Sequence, residues 1–296
     1  MRRSLSPVLW FFVITYVIMG VVACLHMPLA RHLGVTAWMR YGPYVTGTGP
    51  SVAGLLMTLF LYGLLGVRRL AFQLSPWSVG GTWPVLAVCL LLPLGVIVLP
   101  LGILATLGVS LPPPDWHRLP HYVYGAVVSG GFIGPGLFEE IGWRGFALPH
   151  LQRRYSALVS SLIIGLVWAV WHLPNFVIPS EQPLWWHLLA FIPLIMALSV
   201  LFTWAYNSTG GSLFAVVLLH GAIYAALQMC LAPNEGVSAR EDVICLLLFA
   251  VIAVGLVWRY GAANLSWRDR VVAQPPNQGA AANARPAPSA QTADET

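Results

Sequence analysis

Long apolar runs, separated by arginines, prolines and polar turns, leave this chain one kind of surroundings in which to fold. No charged side chain interrupts residues 8–27, 45–66 or 83–107, and further apolar runs occupy 121–138, 157–174, 184–206, 212–230 and 242–258. About 20 such residues span the hydrocarbon core of a bilayer as a helix. Helices also satisfy their own backbone hydrogen bonds, which lipid cannot do for them. The expected architecture is therefore all-α, a polytopic transmembrane helix bundle of about eight spans, with any active site inside the bundle. Composition agrees: 58% of residues are hydrophobic and 8% charged, which excludes a water-soluble globular domain. The 15 basic residues are all arginine, set against 10 acidic ones, and their scatter along the chain speaks against a nucleic-acid surface.

Arginine placement orients the bundle. Arg2-Arg3, Arg68-Arg69, Arg153-Arg154 and the arginines of the tail fall on one side of an even number of spans, whereas Arg31, Arg40, Arg118 and Arg240 fall on the other. The positive-inside tendency then puts both termini in the cytoplasm of a multi-pass cell-membrane protein. The first run also fits a signal peptide, with Val21-Val22-Ala23-Cys24 shaped like a lipoprotein cleavage box. An uncleaved first helix is the favoured reading because further spans follow. Three regions result: N-terminal membrane helices over 1–110, a core over 121–258, and a tail over 261–296 whose Ala, Pro, Gln and Asn content reads as disordered. Leu111-Pro-Pro-Pro-Asp115 separates the first two as a non-helical break. The four cysteines lie in apolar runs without a CxxC pair and are read as small buried hydrophobes. Asn207-Ser-Thr matches a glycosylation acceptor but sits in a tight turn, so it is read as turn chemistry.

Against this background, charge within the stretch from Phe138 to Asn175 is conspicuous. Glu139, Glu140 and Arg144 stand where a structural membrane helix would carry Leu, Val or Ala. Ionisable groups at membrane depth are costly and mark function. Glu140 and Arg144, four apart, share a helix face and can pair; Glu139 points about 100° away and needs a partner from elsewhere. The bland alternative is that all three snorkel into headgroups. Just upstream, Gly125, Gly130, Gly131, Gly134 and Gly136 allow close helix approach, a bend, or room for a substrate backbone, with packing favoured.

Two histidines shift the balance. His172 lies in Trp168-Ala-Val-Trp-His and His220 in Val216-Val-Leu-Leu-His, each within an apolar run. A lone histidine there is usually a packed residue; two on separate spans, with an unpaired glutamate on a third, suit activation of water near neutral pH. His26, His32, His117, His121, His150 and His187 fall at span ends or in loops, where interfacial solvation accounts for them.

In order and spacing, Glu139-Glu140-Ile-Gly-Trp-Arg144, Trp168-Ala-Val-Trp-His172 and His220 with the residue at 224 resemble the EExxxR, FxxxH and HxxxN motifs of the CPBP family. That family comprises CAAX prenyl endopeptidases and bacteriocin-processing or immunity proteins, also called the Abi family of intramembrane proteases. The resemblance covers about residues 125–226. It implies that Glu139 and His172 activate a water, that His220 and residue 224 stabilise the oxyanion, and that Glu140, Arg144 and Trp168 support them. Two positions depart from the pattern. Trp168 replaces the usual Phe, a change expected only to repack, and Tyr224 replaces the usual Asn or Asp, so its hydroxyl must serve as donor from a different place.

The resemblance implies a peptide or protein substrate, lipidated or membrane-anchored, and CAAX-box maturation by a hydrolase. Two cofactor readings stand. Family members are often labelled metalloproteases, and zinc would be held by Glu139, His172 and His220; the metal-free glutamate protease is favoured because HExxH is absent and Arg144 places positive charge beside any cation. Two other functions compete with the endopeptidase: an immunity-type membrane protein without strong catalysis, for which Tyr224 speaks, and a transporter using the buried charges as an ion path.

Overall fold

The computed structural model describes residues 6–33, 47–106, 108, 117, 119–173, 185, 187–230 and 239–274. Arg2-Arg3, the Leu111–Asp115 break and residues 275–296 lie outside them. Every regular element among the described residues is helical. In chain order these are α1 (Ser6–Leu33), α2 (Gly49–Gln73), a 3-10 turn (Pro76–Val79) and α3 (Trp83–Thr106), then α4 (Leu119–Tyr124), which continues as a π-helical segment (Gly125–Phe132). After a bend come α5 (Pro135–Glu140), a second π-helical segment (Ile141–Ala147) and α6 (Leu148–Leu151). The chain ends with α7 (Ala157–His172), α8 (Ile192–Ser208, entered through a π-helical turn at His187–Phe191), α9 (Leu213–Cys230) and α10 (Ala239–Tyr260).

Two stretches, Gly49–Gln73 and Leu188–Ser208, are long and apolar enough to cross a membrane, and five shorter apolar helices stand beside them. Two of the expected spans are broken. α2 turns at Gly63, whose φ of 62° and ψ of −161° only glycine adopts readily. The run at 121–138 is interrupted at Ile133–Gly134, between the first π-helical segment and α5. The outer surface is apolar on several helices: Trp10, Val17, Phe60, Leu64, Leu91 and Val251 are all exposed. Such a surface is what lipid covers.

The glycines of the core act mainly in packing. A Cβ on Gly221 of α9 would lie 2.0 Å from the carbonyl oxygen of Ala126, and one on Gly142 would lie 2.1 Å from that of Pro50. α9 and α2 therefore press directly on the two π-helical segments, as small residues allow in lipid.

The chain from 261 to 274 corrects the expected tail. It straps the end of the bundle where α6, α7 and α8 meet. The carbonyls of Ala262 and Ala263 accept from the N–H groups of Leu158 and Ala157, and Ser156 Oγ accepts from Val159 N–H, so three of the four orphan donors of α7 are satisfied. Asn207 exchanges amide hydrogen bonds with Gln152 (3.1 and 2.8 Å) and donates to the carbonyl of Asn264. Asn207 stands in the last turn of α8 and not in the tight turn expected for it, because its side chain is spent on these distant partners; it is fully buried, which leaves no room for a glycan. Val271 N–H donates to Asn207 Oδ1, Ala273 N–H to the carbonyl of Pro149, and Arg270 Nε to that of Gln152. Backbone pairing and the buried Leu265 thus order a segment whose composition alone shows little to bury.

Other expectations are also refined. Cys89 is buried, but Cys24 faces outward from α1; the side chains of Cys230 and Cys245 lie outside the described residues. His150, expected to be solvated, is largely enclosed: its Nδ1 donates to the carbonyl of Phe146 at 2.6 Å and Nε2 faces the Tyr62 hydroxyl at 2.9 Å. Burial lowers its pKa to about 4, opposed by the Phe146 bond and helped by Arg153. The unfolded chain binds this proton near pH 6.5 and the folded chain near 4, so stability falls as pH drops across that window. The melting temperature of detergent-solubilised protein is expected to fall more steeply between pH 6.5 and 4 than that of His150→Phe; equal slopes would contradict the buried neutral imidazole.

Candidate active site

Four helical elements bring the sequence-selected charges together. Glu139 and Glu140 close α5 and Arg144 lies one turn on in the second π-helical segment, so that π geometry begins at the pair itself. Single π turns inside helices often mark functional positions, because they rotate side chains out of α register. α7 contributes Trp168 and His172, and α9 contributes His220 and Tyr224.

The headgroup reading is overturned by burial: Glu139 is 4% exposed, and Glu140 and Arg144 are 0% exposed. Arg144 Nη1 donates to both oxygens of Glu140 at 3.0 Å, which forms the expected i,i+4 pair. Arg144 Nη2 reaches Ser199 Oγ on α8 at 3.3 Å, and Ser199 donates in turn to the carbonyl of Ser161 at 2.8 Å. The guanidinium also lies over the rings of Trp168 (4.7 Å) and Phe202 (4.4 Å). Aromatic faces stabilise a desolvated cation by about 2 kcal/mol or more. Ser199 and Phe202 escaped the sequence reading; a serine within the apolar run of α8 was the one available signal.

Glu140 has a second partner. His220 Nδ1 lies 2.8 Å from Glu140 Oε1, so the ring donates there and turns Nε2 away from the pair. His172 is oriented in the same way, with Nδ1 donating to the carbonyl of Trp168 at 2.8 Å. A carbonyl only accepts, which fixes the proton on Nδ1 and leaves Nε2 as the lone-pair nitrogen of the neutral ring. The two rings are wedged among aromatics: His172 against Trp168, Trp171 and Phe191, His220 against Trp168 and Phe202.

Two expectations change here. Glu139 is not unpaired: the Trp168 indole Nε1–H donates to Glu139 Oε2 at 2.5 Å. The aromatic exchange at 168 therefore does more than repack, because tryptophan brings a donor that phenylalanine lacks. Tyr224 is 37% exposed, and its ring lies over Gly130, where an added Cβ would meet Cδ1 at 2.9 Å. It stands at the edge of the site, while Glu139, Glu140 and Arg144 are enclosed.

Among the described residues no three of His, Cys, Asp or Glu converge as ligands. The bonds to Trp168 and Glu140 engage Glu139 Oε2 and His220 Nδ1 and leave Glu139 Oε1 and the Nε2 atoms of His172 and His220 open, the atoms that would hold a zinc ion if one binds; no step is routed through a cation here. What the arrangement offers is a buried carboxylate and an imidazole lone pair side by side in a largely apolar shell, the pair that can take and return a proton.

Residues 123–226 match the family model described as type II CAAX prenyl endopeptidase Rce1-like. The chain is also 27% identical over 122 residues to CAAX prenyl protease 2 of Methanococcus maripaludis, a match over 39% of this chain and 45% of that protein. The chain thus spans under half the length of the curated relative it matches. Residues 123–226, which carry all three motifs, are thus similar to the type II CAAX prenyl endopeptidase Rce1-like family.

Proposed function

We propose that this protein is an intramembrane endopeptidase of the CAAX type, which hydrolyses a peptide bond with water activated by Glu139 and His172. The observation that supports it most is the burial of Glu139 beside two histidines whose Nδ1 protons are fixed, leaving both Nε2 atoms for the reaction. In this reading Glu139 removes a proton from water as its oxygen attacks the scissile carbonyl carbon. His172 Nε2 accepts a hydrogen bond from the same water and orients it. The tetrahedral intermediate then collapses: the C–N bond breaks and the proton held by Glu139 passes to the departing amine. His220 serves the oxyanion as an imidazolium: Nδ1–H donates to Glu140, whose carboxylate stabilises the cation, and Nε2–H donates to the nascent oxyanion, with Tyr224 at the rim. Glu140, bound by Arg144, holds the His220 ring in place. We further propose a multi-pass membrane location with both termini cytoplasmic, and a prenylated or otherwise membrane-anchored C-terminal peptide as substrate.

The test is cleavage in liposomes of a farnesylated peptide ending in a CAAX box, read by mass spectrometry after exhaustive chelation. Release of the last three residues is expected, unchanged by chelation. Loss of activity that zinc restores would contradict the metal-free mechanism, and an intact peptide would contradict this substrate class. One observation favours a second reading, a catalytically weak immunity-type protein: the donor position at 224 is a partly exposed tyrosine. Loss of one oxyanion donor costs about 10²–10³ in rate. That reading expects biological function to survive Glu139→Ala.

A further inference from the structure

One residue of the buried cluster, Trp168, touches Glu139, His172, His220 and Arg144. The indole of Trp168 donates to Glu139 Oε2 at 2.5 Å, and the backbone carbonyl of the same residue holds His172 Nδ1 at 2.8 Å. Its ring stands edge-on to His172 (5.8 Å between centroids) and His220 (5.7 Å), and Arg144 lies over it at 4.7 Å. Groups from α5, α7, α9 and the second π-helical segment thus take their positions from one residue that is itself 3% exposed. Both groups are buried, so the indole N–H takes the carboxylate as its partner and the carboxylate loses a rotational freedom it would otherwise keep.

We propose that Trp168 is a positioning residue for the reaction: its N–H holds Oε2 and fixes the carboxylate plane so that Oε1 of Glu139 is the oxygen that meets water. This rests on the endopeptidase reading above. The indole keeps its proton throughout; the proton that moves travels from water to Oε1 and on to the leaving amine. Misplacing a catalytic group by about 1 Å costs on the order of a hundredfold, which sets the scale of the effect.

Trp168→Phe keeps an aromatic face for both histidines and Arg144 and removes only the donor. In the liposome assay it is expected to lower kcat about tenfold to a hundredfold with KM changed by less than about twofold, the split that a loss of orientation gives. An unchanged kcat in folded Trp168→Phe overturns the proposal. A second measurement does not depend on activity. In ¹⁵N-labelled protein the indole N–H resonance of Trp168, assigned by its disappearance in Trp168→Phe, is expected downfield and is expected to move upfield in Glu139→Ala. A resonance that ignores Glu139→Ala also overturns the proposal. If wild-type protein cuts no peptide, the endopeptidase reading fails, while the resonance still decides whether Trp168 holds Glu139.

Discussion

Replacing Glu139 or His172 with alanine is expected to lower peptide hydrolysis by about 10²–10⁴-fold, the usual contribution of a positioned acid or base. The two losses are not expected to multiply, because both residues act on one water. The bundle is expected to survive both changes, though unequally. Glu139→Ala strands the Trp168 N–H in a buried site, at a cost of about 1–3 kcal/mol, whereas Glu139→Gln keeps an acceptor and removes only the base. His172→Ala removes only the imidazole bond to the Trp168 carbonyl, which stands four residues before the end of α7, within reach of the helix's own i,i+4 bonding. Initial rates, normalised to folded protein by circular dichroism, check this. Wild-type rates in either folded variant would remove that residue from the mechanism.

The second large effect is on stability. Arg144 is the only arginine in the buried cluster and carries the charge balance of Glu140, so Arg144→Ala is expected to destabilise by about 3–5 kcal/mol. Three losses combine: a carboxylate left with His220 alone, an unfilled space between Trp168 and Phe202, and a broken link to Ser199 on α8. Neutralising both partners is expected to cost much less, since well-packed apolar groups often replace a buried ion pair without penalty. Melting temperatures of Arg144→Met and of Arg144→Met with Glu140→Gln decide it. A double variant as unstable as the single one would show that the charge pair is not what Arg144 contributes.

Much of the site was legible in one dimension because charge in apolar sequence has few explanations. The i,i+4 spacing of Glu140 and Arg144 and the placement of His172 and His220 within apolar runs named the residues that the fold brings together. What remained hidden depends on contacts between distant segments. No spacing rule links Trp168 to Glu139, 29 positions apart, or His220 to Glu140, 80 apart. A member of an i,i+4 pair can also accept from a third group, so Glu140 holds His220 as well as Arg144, and the partner that Glu139 needed from elsewhere is the Trp168 indole. Gly63 and Gly134 were visible as glycines, but whether a glycine packs or breaks a helix is settled by its neighbours. The arm at 261–274 escaped because its anchors are backbone groups, which composition does not weigh.

The central claim is that Glu139 makes the attacking oxygen from bulk water. Purified, chelated protein should therefore be given its peptide in H₂¹⁸O and the products weighed. Wild type is expected to release a fragment carrying one ¹⁸O in its new carboxylate, and Glu139→Gln, folded to the same melting temperature within a few degrees, is expected to release none. Labelled product from Glu139→Gln at the wild-type rate would contradict the assignment.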